Sequence, residues 1–350
     1  MLTRTRLVVL SAFIWALLVP ATGAAQTAAP GSPDAVKQQV ERQGTQPGNN
    51  APVWRDVRSG ESNYTTVKGR EAGVLVQSSG DTWRQWRQGP ITVYGGWLVV
   101  IAGLLIAAIY FAKGPIKLHG KPTGKMIQRF SLVERWAHWV MGISFVVLGV
   151  SGLVMLFGKH VLLPVIGYTL FAWLTALLKN LHNFIAPLFV VSLLVFIVIF
   201  VKDNLPKAYD FAWFGKMAGF FFRGEHIPSG RFNGGEKAWF WLGVVALCLI
   251  VSASGFVLLF PNLEQLRETM QTAHIVHAIA GVLVIAASLG HIYMGTIGVE
   301  GAYQAMRSGY VDEIWAKEHH QYWHDEIGKP AAPAAGGGVP AGAARKNRPD

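Results

Sequence analysis

Five stretches of this chain, 92–112, 136–157, 181–201, 238–260 and 271–299, contain no Asp, Glu, Lys or Arg. About 20 apolar residues cover the hydrocarbon core of a bilayer, so each is long enough to span it. Lipid offers the backbone no hydrogen-bonding partner, which restricts spanning segments to helices and closed barrels. These runs are apolar throughout and do not alternate, which selects helices. A sixth run, 161–178, contains Pro164 and Gly167 and is bounded by Lys159 and Lys179. It is expected to be an interfacial helix on the outer face.

The distribution of charge supports five spans and gives them a direction. Only 15% of the 350 residues are charged, and the formal net charge is +11. The basic residues lie between the apolar runs, so they do not form a nucleic-acid footprint. Lys113, Lys117, Lys121, Lys125 and Arg129 follow the first run. Lys202, Lys207, Lys216, Arg223, Arg231 and Lys237 follow the third. The intervening loops hold only Lys159, Lys179 and Arg267. By the positive-inside rule the two basic loops are cytoplasmic. This gives a multi-pass protein of a bacterial inner membrane, with a periplasmic N-terminus and a cytoplasmic C-terminus.

The chain begins with Arg4 and Arg6, an apolar run over 7–19, and the small residues Gly23-Ala24-Ala25. This pattern is expected to be a signal peptide over 1–25, with an uncleaved anchor as the alternative. A periplasmic segment follows over 26–91. Its part 26–53, rich in Ala, Gly, Pro and Gln, is expected to be disordered. Residues 54–90 are expected to form a small module. Thr65-Thr66-Val67 and Val74-Leu75-Val76 suggest a strand pair there, and Trp54, Trp83 and Trp86 interleave with arginines. Beyond the first span (92–112), a four-helix domain covers 113–300. A cytoplasmic tail helix covers 301–328, and a disordered C-terminus 329–350. The expected fold is an all-α membrane helix bundle with a small extracytoplasmic N-terminal module.

Five histidines lie inside the apolar runs; His138, His182, His277 and His291 are the candidate ligands, and His274 is the fifth. An ionisable group in a membrane span is costly unless it faces the bundle interior or binds something. With the loops oriented as above, His138 and His291 fall at the inner level, and His182 and His277 at the outer. His277 and His291 are 14 residues apart on one run, about 21 Å along a helix and close to four whole turns. Two axial pairs at two depths imply two stacked b-type haems, spaced to carry electrons across the membrane. Gly281 and Gly290 flank these sites and leave room for a flat macrocycle. His274 lies three residues before His277, on the same face, and is an alternative ligand. The alternative to haem ligation is a set of hydrogen-bonded core histidines or a proton relay. Cys248 is the only cysteine. That excludes an internal disulfide, an iron–sulfur cluster on this chain, and covalent haem attachment through C-x-x-C-H.

These histidines sit in recognisable surroundings. They are Arg135-Trp136-Ala137-His138-Trp139, Leu181-His182-Asn183-Phe184, His277-Ala278-Ile279-Ala280-Gly281 and His291-Ile292-Tyr293-Met294. With Phe232-Asn233-Gly234-Gly235-Glu236-Lys237 and Trp315-Ala316-Lys317-Glu318-His319-His320, the region from about Arg129 to Ile327 resembles the gamma subunit of respiratory formate dehydrogenase. That subunit is a cytochrome b membrane anchor. The Arg-x-x-His-Trp element is shared with hydrogenase and thiosulfate-reductase cytochromes. The resemblance implies two haem b groups with His138, His182, His277 and His291 as axial ligands. It implies quinone, menaquinone or ubiquinone, held by Asn233, Gly235 and His291. It implies two partner subunits, an iron–sulfur beta subunit and a catalytic alpha subunit carrying molybdenum or tungsten. Formate oxidation would then occur on a partner. Other readings are the cytochrome b subunit of a Ni/Fe-hydrogenase or related molybdoenzyme, and a self-contained transmembrane ferric reductase.

Overall fold

A computed structural model describes residues 79–263 and 265–328, together with Lys37, Glu41, Trp54, Arg55, Arg58, Ser59, 63–64 and 74–77. The expectations for 1–25, for nearly all of 26–53, for Thr65-Thr66-Val67 and for 329–350 lie outside the described residues.

Among the described residues, five helices are long and apolar enough to cross a membrane: α1 (Gly80–Lys113), α2 (Leu132–Val161), α3 (Leu163–Phe200), α5 (Gly234–Leu259) and α6 (Arg267–Gly298). The shorter α4 (Ala208–Arg223) links α3 to α5. Each long helix covers one of the five uncharged runs to within one residue. The architecture is an all-α membrane bundle. Its outward faces carry large apolar residues such as Tyr94, Phe111, Ile143 and Val198, as lipid requires. Its interior is packed around Leu193, Phe196, Phe200, Phe240, Val244 and Val284. α1 packs on α6 where Gly95 and Gly96 let it come close to Val282 and Phe157.

Three boundaries differ from the expectation. Residues 80–90, assigned to the N-terminal module, instead continue as α1. The helix passes Pro90 through a wider π-helical turn, Arg87–Ile91. The Thr92 hydroxyl donates to the Arg87 carbonyl at 2.6 Å, so the proline breaks nothing. Residues 161–178, expected as a separate interfacial helix, belong to α3. Pro164 sits in its first turn, where no backbone N–H is needed, and one break occurs at Gly167, φ +77°. From Tyr168 to Phe200 the helix is about 50 Å long, well beyond a hydrocarbon core of about 30 Å. Finally, the segment expected as one tail helix is three short ones, α7 (Ala302–Ser308), α8 (Glu313–His319) and α9 (Gln321–Ile327). Gly309, at φ +92°, ends α7. The chain then extends as β4 (Tyr310–Asp312), antiparallel to β3 (Met126–Gln128).

The tail is clasped to the start of α2. The Gly309 carbonyl accepts from the Arg129 and Phe130 amides, at 2.8 and 3.1 Å. A Cβ on Gly309 would lie 2.6 Å from the Phe130 carbonyl, so glycine is required there for space as well as for φ. Arg135 donates to the carbonyls of Met306 and Arg307, and Trp139 Nε1 donates to Met306 at 3.1 Å. The Arg and final Trp of Arg135-Trp136-Ala137-His138-Trp139 thus bind the open carbonyls at the end of α7.

A separate compact unit, residues 1–65 and 74–78, holds an antiparallel pair, β1 (Asn63–Tyr64) and β2 (Val74–Val76). β2 coincides with the expected second strand.

Candidate haem sites

The four membrane histidines meet as two pairs. His138 on α2 and His291 on α6 have ring centroids 6.2 Å apart. His182 on α3 and His277 on α6 have centroids 6.1 Å apart. Two imidazoles that share one metal at about 2 Å, with each ring nitrogen about 1 Å off its centroid, have centroids about 6 Å apart. Both pairs therefore have the separation of two opposed ligands of a single iron.

The His182–His277 pair is oriented by its neighbours. His182 Nδ1 lies 2.8 Å from Ser151 Oγ. His277 Nδ1 lies 3.0 Å from the Val251 carbonyl, and 3.3 Å from Ser254 Oγ. A carbonyl only accepts, so His277 carries its proton on Nδ1 and leaves the Nε2 lone pair free. Around this pair lies a cavity of about 610 Å³, lined among others by Gly149, Gly152, Gly255 and Gly281. A Cβ on Gly255 would meet His277 Cε1 at 3.1 Å, and one on Gly152 would meet His182 Cε1 at 3.7 Å. The glycines thus keep the space beside both rings open. His274 lines the same cavity, with its ring edge-on to Trp83 at 5.6 Å. The paired imidazoles, the free Nε2 of His277 and the glycine-lined cavity beside them fit a haem.

The His138–His291 pair is built differently. Trp239 stacks on His291, with centroids 5.0 Å apart and planes 12° apart. His138 Nδ1 is buried without a hydrogen-bond partner among the described residues. Trp239 begins a π-helical stretch of α5, Trp239–Leu247, and a second one, Met294–Gly298, follows His291 closely. Such turns are uncommon and concentrate at functional sites.

Asn233 forms a capping box at the start of α5. Its Oδ1 accepts from Glu236 N at 2.9 Å, and Glu236 Oε2 accepts from Asn233 N at 2.8 Å. Gly235 faces Trp213, whose ring a Cβ there would meet at 2.8 Å. Glu236 also binds Arg129 at 3.0 Å, and Lys237 binds Asp210 at 2.7 Å in a buried pair. The loop leads within two turns to Trp239 and so to His291. The hydrogen bonds of the capping box use the side-chain oxygen of Asn233 and leave its NH₂ group out.

Sequence reasoning missed Ser151, Ser254 and Trp239 as neighbours of the histidines. The serines did carry a signal, being hydroxyls within otherwise apolar spans. Trp239 carried none, because an aromatic residue near a span end is ordinary.

The family model for prokaryotic cytochrome b561 matches residues 129–309. The chain is 29% identical over 218 residues to the nitrate-inducible formate dehydrogenase cytochrome b556 (Fdn) subunit of Escherichia coli K12, covering 59% of this chain and 94% of that one. It is 29% identical over 206 residues to the cytochrome b556 (fdo) subunit of formate dehydrogenase from the same organism, covering 58% and 94%. A formate dehydrogenase cytochrome b556 subunit of Haemophilus influenzae is 25% identical over 211 residues, covering 57% and 83%. The matched region runs from the clasp at Arg129 to Gly309 and contains all four paired histidines, and this chain belongs to the prokaryotic cytochrome b561 family.

Proposed function

We propose that the chain is the di-haem membrane anchor of a formate dehydrogenase complex and passes electrons from a partner iron–sulfur subunit to membrane quinone. The observation that carries this reading is the presence of two histidine pairs, at 6.1 and 6.2 Å, at two levels of one bundle. Relatives named as formate dehydrogenase cytochrome subunits support the choice of complex. Haem b supplies a one-electron carrier at each pair. His182 and His277 hold the outer group and His138 and His291 the inner one. Ser151 and the Val251 carbonyl keep the outer imidazoles in the tautomer that coordinates through Nε2.

Quinone binds at the inner end, where the Asn233 amide donates to a quinone carbonyl beside Trp239 and His291. Gly235, whose Cα faces Trp213, shapes the turn. The basic loops orient this end to the cytoplasm, which gives the quinone access to protons on that side. Formate oxidation belongs to a molybdenum- or tungsten-bearing partner on the periplasmic side.

Formate added to membranes that contain the intact complex should reduce the b-type absorbance, and a quinone analogue should block its reoxidation. Absorbance that responds to hydrogen and not to formate would assign the chain to a hydrogenase instead.

A further inference from the structure

At the end of the bundle that carries His138 and His291, three segments far apart in sequence converge outside the membrane spans. His119 lies between α1 and β3, His226 lies between α4 and α5, and Glu318 is on α8. Each offers one ligand atom, and the three atoms lie within 4.8 Å of one another.

The central residue is His226. Both its ring nitrogens are buried, and neither makes a hydrogen bond among the described residues. Its Nε2 is nevertheless 3.1 Å from Glu318 Oε2. Two donors on one tetrahedral ion, each at about 2.0–2.2 Å from it, are about 3.4 Å apart. The spacing is therefore that of neighbouring ligands, and the direction is wrong for a direct hydrogen bond. The His119 ring stands edge-on at 4.3 Å. Glu318 is fixed independently, because its two oxygens accept from the His119 and Gly120 amides at 3.0 and 2.7 Å. Such backbone bonds orient a ligating carboxylate. His319 packs behind His226 with centroids 4.9 Å apart, and its Nε2 is also buried without a partner.

We propose that His119, His226 and Glu318 bind one divalent transition-metal ion of the zinc class. Two imidazoles and a carboxylate are a common zinc ligand set, and the fourth position is left to water on the exposed His119 side. The ion ties the tail to both loops that flank the inner pair. The inference is independent of the haem and formate readings.

The test uses the full chain purified without a histidine tag, stripped with a chelator, dialysed against zinc alone and assayed by elemental analysis. The proposal expects one zinc per chain. It expects His119→Ala and Glu318→Gln each to weaken binding at least tenfold while the haem spectrum is unchanged. His119 is exposed, so its removal leaves the fold in place. Zinc should also slow hydrogen exchange over α8 in the wild type and not in His119→Ala. No zinc above background, or equal binding by wild type and both variants, would overturn the proposal.

Discussion

His182 Nδ1 and Ser151 Oγ lie 2.8 Å apart, and the surroundings of the serine set the direction of that hydrogen bond. The Ser151 hydroxyl is directed at the Val147 and Leu148 carbonyls of its own helix, at 2.7 and 3.0 Å. Its proton is engaged there, so the oxygen accepts from His182 Nδ1–H. The Nε2 lone pair then faces His277.

Ser151→Ala removes that acceptor and frees the imidazole to rotate or change tautomer. Loss of such a supporting bond typically costs 10–100-fold in metal affinity. The variant should release the outer haem on dilution at least tenfold more readily than the wild type and keep the inner one. Optical spectra during serial dilution follow the two losses. Equal retention of both haems would show that Ser151 does not orient the ligand.

Asn233 carries two separable roles. Asn233→Asp keeps the oxygen that caps α5, a function worth about 1 kcal/mol, and removes the amide donor. Quinone reduction should fall at least tenfold while haem content and melting temperature stay unchanged. Unaltered quinone turnover would restrict Asn233 to capping.

Lys237 and Asp210 form a 2.7 Å ion pair with side chains only 5% and 7% exposed. Lys237 Nζ also donates to the Leu205 carbonyl at 3.1 Å. Asp210→Ala leaves a buried cation without its counter-charge, which costs about 3–5 kcal/mol. Thermal unfolding in detergent should show a loss of that order. A change under about 1 kcal/mol would mean that water reaches the site.

The tail clasp should respond to pH only in acid. Slight burial raises the Asp312 pKa, but hydrogen bonds from Ile314, Thr123 and Gly124 outweigh it and hold the carboxyl below 3.8. A folded-state pKa below the unfolded value gives stability that is full above about pH 4 and lost as pH falls through the folded pKa. Hydrogen exchange over β3 and β4, corrected for its intrinsic pH dependence, should be steady from pH 5 to 8. It should rise below about pH 4. A rise between pH 5 and 8 would assign the clasp to another group.

The spans were legible because lipid leaves an uncharged run of over 20 residues few alternatives. The histidine pairs were legible because depth follows from loop charge and helix rise. Helix ends were not. Pro164 and Pro90 look like breakers in sequence, yet one sits in a first turn and the other in a π turn closed by Thr92. The tail's break at Gly309 depends on its pairing with Phe130, which is remote in sequence and has no local signal. His119, His226 and Glu318 were unreadable for the same reason, since two loops and a short helix far apart in sequence bring them together.

The central claim is that each histidine pair holds one haem. Pyridine-haemochrome assay of the purified chain tests it most directly. The account gives two haems b per chain in the wild type, and one in both His182→Ala and His277→Ala, with the inner spectrum retained. One haem or none in the wild type, or two in either variant, would contradict it.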